Sequence, residues 1–227
     1  MDITTKSVRG GVLTREQFLP HEMRIVAALR MQGASDEQVI VRVKSENLFQ
    51  YPTERMVANR ATVCLRRLDA MVPTDAACAV RGIDSNIAVE AVSSLTRLMA
   101  SGTPTQADQA IFYSMICRYD IVRELVLVEV GERLQNFDYA FTAVDLNAFM
   151  TRFTTEYPDA ARWTEATVKR IKGSLRQTLR HAGLIGEGMG PESERLSALF
   201  LDPDIEHALL QLGEQPLVAA LTGRAVI

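Results

Sequence analysis

The stretch Trp163–Ile185, WTEATVKRIKGSLRQTLRHAGLI, decides how this chain is read. Thr164 or Thr167 can cap a helix start. Val168, Ile171, Leu175, Leu179 and Ala182 then recur at the three- and four-residue spacing of a packed helical face. Lys169, Lys172, Arg176 and Arg180 follow the same spacing on another side, which aligns four cations along one strip. Gly183 stands where a left-handed C-cap would end the helix. Residues 164–185 hold five Lys and Arg against one Glu, whereas the whole chain carries a formal charge of −3. A cationic ridge confined to one helix of an acidic protein points to an anionic partner more sharply than diffuse basicity does.

Along the chain, basic and acidic parts alternate. Residues 1–72 and 164–185 are net positive, and 73–163 and 186–227 are net negative. An anionic partner should therefore touch two separate places. With 227 residues, 47% of them hydrophobic and 23% charged, the composition is that of a folded globular chain with a large core. The first fifteen residues lack the apolar stretch of a signal peptide. The runs Ile25–Leu29 and Leu125–Val130 fall far short of the roughly 20 residues that span a bilayer. A cytoplasmic protein with no membrane contact is expected.

Residues 1–19 read as a flexible arm, basic at Lys6, Arg9 and Arg15 and kept from regular helix by Gly10-Gly11. Residues 20–72 read as three short helices. Pro20 opens the first, Ser35 with Gln38 forms a capping box for the second, and Thr53 caps the third. Leu48, Phe49 and Tyr51 should close over the first two. Such a trihelical unit is helix-turn-helix-like, and its third helix bears Arg55, Arg60, Arg66 and Arg67. Of these, Arg55, Arg60 and Arg67 are the candidates for a second nucleic-acid contact.

Residues 73–135 read as a central helical bundle with a long, largely apolar helix from about Gln106 to Arg133. Residues 136–227 read as a winged-helix-like domain with a C-terminal helix. In it, Phe137, Tyr139 and Phe141 alternate as in an extended segment with one buried face. Thr142 and Asp145 cap a helix whose inward residues include Val144, Leu146, Phe149 and Phe153, and the cationic helix follows. Leu184-Ile185 and Leu196–Leu201 flank a Gly- and Pro-rich turn, a hairpin signal. That turn carries Glu187, Glu192 and Glu194, so the helix rather than the wing should meet phosphate.

Catalysis and cofactors find little support. Cys64, Cys78 and Cys117 are odd in number, widely spaced and sit among apolar residues, which argues against a disulfide scaffold, and Cys64 reads as a buried thiol. His21, His181 and His207 pair with no cysteine at zinc spacing, and GEGMG lacks the Lys-Ser/Thr of a phosphate loop. Asp120 and Glu124 read as a solvated acidic face. No enzyme activity, cofactor or metal is expected.

Two groups of blocks resemble the BrxA family. They are HEMRIVAALRMQGAS with NLFQYPTERMVANRATVCLRRL, and FDYAFTAVDLNAFMTRF with the cationic helix behind it. The resemblance runs over roughly residues 20–220. It implies a mainly helical protein with helix-turn-helix and winged-helix-like parts. It also implies duplex DNA binding without known catalysis, as an accessory protein of BREX bacteriophage-defence systems. Some family members were once catalogued as putative inner-membrane proteins, a label the hydropathy of this chain opposes. Carried onto matching blocks, the DNA contacts fall on Lys169, Lys172, Arg176 and Arg180, then on Arg55, Arg60 and Arg67. Only Gln177 on the ridge could read adenine, and Arg176 could read guanine or hold phosphate. Other BREX proteins are further candidate partners, and self-association stays open. Two other readings remain at this point: an adaptor that assembles defence components without touching DNA, and a helical RNA-binding protein.

Overall fold

The computed structural model describes residues 11–14, 16–186 and 194–224, and the chain is mainly helical. Its first three helices are α1 (Pro20–Met31), α2 (Asp36–Ser45) and α3 (Glu54–Met71). Next come α4 (Asp75–Arg81), α5 (Ser85–Ser101) and α6 (Pro104–Arg118), then α7 (Asp120–Glu124) and α8 (Gly131–Gln135). The chain closes with α9 (Ala143–Glu156), α10 (Glu165–His181), α11 (Pro203–Gln211) and α12 (Gln215–Thr222).

The helix starts are those the caps predict. Ser35 accepts from the Gln38 N–H, and the Gln38 side chain accepts from the Ser35 N–H at 2.8 Å. Thr53, Thr74, Asp84, Thr142, Thr164 and Asp202 cap their helices through side-chain oxygens. Each cap satisfies a backbone donor that the first helical turn leaves without a partner. At the other end of α10, Gly183 takes φ 81°, the left-handed conformation open to glycine.

The core is built where α1 lies on α5, α5 on α6, and α3 on α6, α1 and α2. Met23, Val26, Ala61, Cys64, Leu95, Ile111 and Met115 are fully buried there. Phe49 is buried and Tyr51 half-buried over α1, with the Tyr51 hydroxyl bonded to the buried Glu22 carboxylate. Burial pushes the Cys64 and Cys117 thiols up to about 12, so both stay protonated at neutral pH.

The predicted helix from 106 to 133 is not continuous. Tyr119 leaves helical geometry at φ −120°, ψ 108°, between α6 and α7. Its ring is buried, and its hydroxyl bonds the carboxylate of Glu16, a contact across 103 residues. Beyond α7 the chain widens into a π-helical turn, Leu125–Val130, which runs into α8. Helix α12 packs on this turn and on α8, and a Cβ at Gly131 would stand 2.7 Å from the Ala220 Cβ. That close approach explains a glycine at 131.

The described part of the 1–19 arm is not loose. Leu13, Phe18 and Leu19 are buried, and the 3-10 turn Gly11–Thr14 packs on α10. Lys6, Arg9 and Arg15 lie outside the described residues.

The 136–142 segment is extended only at its end. Phe141 is buried, whereas Phe137 is 77% exposed, and its φ of 58° breaks the expected alternation. Val144, expected inward, is also exposed, in the first turn of α9. Phe153, at the far end of α9, packs on Trp163 just before α10, with ring centroids 6.1 Å apart. Leu196 donates to the Tyr139 carbonyl at 2.9 Å, and Ser197 to that of Leu184 at 2.9 Å. The expected hairpin is thus reduced, among the described residues, to isolated antiparallel bridges at Ile185–Leu196 and Ala140–Arg195. Glu187 and Glu192, the tip of the expected wing, lie outside the described residues.

Asp145 joins this region to α8. Its carboxylate accepts from the Thr142 N–H at 2.6 Å and from Arg133 at 2.7 Å. Burial pushes its pKa up, but the Thr142 bonds and the Arg133 charge outweigh burial and hold it below the ordinary carboxylate value. A lowered folded pKa stabilises fully above the unfolded value, and that stability is lost as pH falls through the folded one. Asp145→Asn is expected to cost about 1–2 kcal/mol at neutral pH. The gap between the melting curves of wild type and variant should close in acid, below the unfolded carboxylate pKa.

Candidate nucleic-acid interface

Helix α10 forms because Thr164 caps its start, at 3.2 Å from the Thr167 N–H, and because Ile171, Leu175, Thr178 and Leu179 bury one face. The face turned outward carries Lys169, Arg170, Gly173, Gln177 and Arg180. Among the described residues neither Lys169 nor Arg170 is ion-paired.

The predicted four-cation ridge is not uniform. Lys169 is exposed. Lys172 is half-buried, and its ammonium donates to the Asn147 Oδ1 of α9 at 2.6 Å. Arg176 Nε donates to Glu194 Oε2 at 2.5 Å, and Arg180 bonds the other oxygen of the same carboxylate. Glu194 is buried, with 2% of its side chain exposed. The acidic flank of the expected wing therefore turns under α10 and neutralises part of its ridge. It does not face outward, where it would repel phosphate.

The arginines of α3 divide as well. Arg55 and Arg66 are exposed and Arg60 is half-buried. Arg67 is fully buried and is not available to a nucleic acid. Its guanidinium donates to the carbonyls of Glu16, Gln17 and Phe18 at 3.0, 2.6 and 3.0 Å. It also donates to the Tyr119 hydroxyl at 3.2 Å and lies over that ring. A buried guanidinium persists where its donors are satisfied, and here the 16–18 backbone satisfies them.

That backbone is the floor of a shared depression. On one side of it, Gln17, Met56, Asn59, Arg60 and Arg66 line an open groove of about 600 Å3. On the other, Gln17, Phe18, Arg170, Gly173, Ser174 and Gln177 line a groove of about 340 Å3. Thr14 and Gln17 line both. Arg60 and Arg66 of α3 and Arg170 of α10 thus look into adjoining hollows over one strand of chain. Phe18 ties the floor to the end of α10 by stacking on His181 at 5.0 Å. Beyond the crest of α10 a third hollow of about 260 Å3 lies against the start of α9, where Gly173, Lys172 and Arg176 meet Thr142 and Asn147.

Sequence reasoning passed over Arg170 and left Arg66 off the candidate contacts. Arg170 was legible, since with Gly173 and Gln177 it keeps helical spacing. Arg66 differs from Arg67 only in burial, which depends on residues about fifty positions away. The groups presented to the hollows are guanidinium, carboxamide and hydroxyl. They donate to phosphate oxygens and to base edges. The carboxylates of Glu16 and Glu194 are already bonded to Tyr119 and to the arginines of α10.

The family model BrxA matches residues 11–213 of the chain. The BREX protein BrxA of Escherichia coli O9:H4 (strain HS) is 19% identical over 214 residues, which cover 94% of this chain and 90% of that protein. A solved structure of an uncharacterized protein from Magnetospirillum magneticum superposes with a TM-score of 0.73 at 15% identity, over 96% of this chain and 100% of that one. At that identity the likeness speaks for the fold alone.

Proposed function

The chain belongs to the BrxA family, and from that premise we propose that it is a non-enzymatic, duplex-DNA-binding component of a BREX phage-defence system. One observation carries the reading: Arg60 and Arg66 of α3 and Arg170 of α10 border adjoining hollows over the same 14–18 floor. In this reading α1 to α3 act as a helix-turn-helix-like unit. Helix α9, α10 and the bridge at Ile185–Leu196 act as a winged-helix-like unit. Lys169, Arg170, Arg60 and Arg66 meet phosphates, while Asn59 and Gln177 are placed to reach base edges. The wing contributes little, because Glu194 is turned inward. The site of action is the cytoplasm, where duplex DNA is found. No helix among the described residues is long and apolar enough to cross a membrane.

Titration of a labelled duplex at several salt concentrations tests the proposal. Four phosphate contacts predict that log affinity falls against log salt with a slope of about −4. Absence of binding at low salt, with a stable complex formed instead with another BREX protein, would replace the reading by an adaptor. Tighter binding to structured or single-stranded RNA than to duplex DNA would replace it by an RNA-binding one.

A further inference from the structure

Gly173 stands in the middle of a 17-residue helix, eight positions from either end. Glycine there destabilises a helix relative to alanine, because it gives up more backbone freedom on folding. Other glycines among the described residues have a reason inside the molecule. At Gly131 a Cβ would collide with Ala220, and at Gly183 the backbone is left-handed. Gly173 has neither: its backbone is ordinary helix, and a Cβ built on it meets nothing within 4 Å.

Its surroundings point outward. Gly173 lines the hollow shared with Arg170, Ser174 and Gln177, and also the hollow shared with Lys172, Arg176 and Thr142. It is the crest between the two, with Arg170 on one flank and Lys172 on the other. The outward strip therefore bears cations towards each end and bare backbone at its centre. A convex partner laid along α10 would come nearest at that point, and any side chain there would hold it away from Arg170.

We infer that Gly173 is where the sugar-phosphate backbone of a duplex makes its closest approach to α10, with Arg170 taking a phosphate beside it. The inference rests on the DNA-binding reading and adds to it a site of contact that bears no charge. Arg170 supplies attraction, and the missing side chain lets it act at short range, where charge-assisted bonds form.

The test is a pair of variants of the full chain, Gly173→Ala and Gly173→Leu, each followed by thermal melting and by titration with a labelled duplex. The alanine variant is expected to melt about 2 °C higher than wild type, since the helix gains and nothing is displaced. Its duplex affinity is expected to fall about tenfold, and that of the leucine variant further. The salt slope of the alanine variant should stay at the wild-type value, because no charge has been removed. Greater stability with lower affinity is an outcome that neither a structural glycine nor an idle one produces. Wild-type affinity in both variants would overturn the inference and leave the DNA reading standing. A lower melting temperature in the alanine variant would also overturn it, by showing that the fold itself needs the glycine. Failure of the wild type to bind duplex at low salt would overturn the reading and the inference together.

Discussion

Arg67→Met is expected to destabilise the protein by about 3–5 kcal/mol, the cost of removing one member of a buried charge network. For a chain of this size that lowers the melting temperature by about 10 °C. The guanidinium is fully buried and donates to three consecutive backbone carbonyls and to the Tyr119 hydroxyl. Methionine fills much of the volume but donates nothing. It would leave the carbonyls of Glu16, Gln17 and Phe18, and the Glu16 carboxylate bonded to Tyr119, without the cation they surround. Its neighbour gives the control. Arg66 is exposed and lines the groove, so Arg66→Met should shift stability by no more than about 0.5 kcal/mol while weakening duplex binding. Thermal or urea melting of the two variants side by side decides the matter. If Arg67→Met melts with the wild type, the buried guanidinium does not hold the 16–18 floor.

The contrast between these adjacent arginines marks where sequence reasoning stops. Local chemistry was legible. The Ser35–Gln38 and Thr142–Asp145 boxes, the Thr164 cap and the Gly183 turn each depend on residues within about four positions of one another, and the structure contains all of them. The inward face of α10 was legible as well, because helical spacing sets it apart. The break at Tyr119 was not, because the apolar pattern continues through it without a Gly or Pro. At the break the Tyr119 hydroxyl bonds Glu16, 103 residues earlier. The same holds for the site. A cation beside an apolar stripe reads as solvated until the carbonyls or carboxylate that bury it are known. For Arg67 those are the carbonyls of 16–18, and for Arg176 the carboxylate of Glu194, eighteen residues on.

Lys169→Glu/Arg170→Glu is expected to weaken duplex binding by about a hundredfold at low salt, and to reduce the salt slope by about 2, with the fold unchanged. Both side chains are exposed on α10. Reversing them removes two phosphate contacts and sets two repelling charges in their place, without disturbing an ion pair. The reversal that the bare helical pattern recommends, Lys172→Glu/Arg176→Glu, is a poorer experiment. The new carboxylate at 176 would stand against the buried Glu194, and Arg180 alone would remain to neutralise it. The one at 172 would lose the bond to Asn147 that joins α10 to α9. Loss of binding in that variant would mix a lost contact with a damaged fold. In the 169/170 variant the two separate: melting should match the wild type within about 0.5 kcal/mol while affinity falls. Unchanged affinity in a fully folded 169/170 variant would remove α10 from the interface and leave the α3 groove, at Arg60 and Arg66, to account for any binding that the wild type shows.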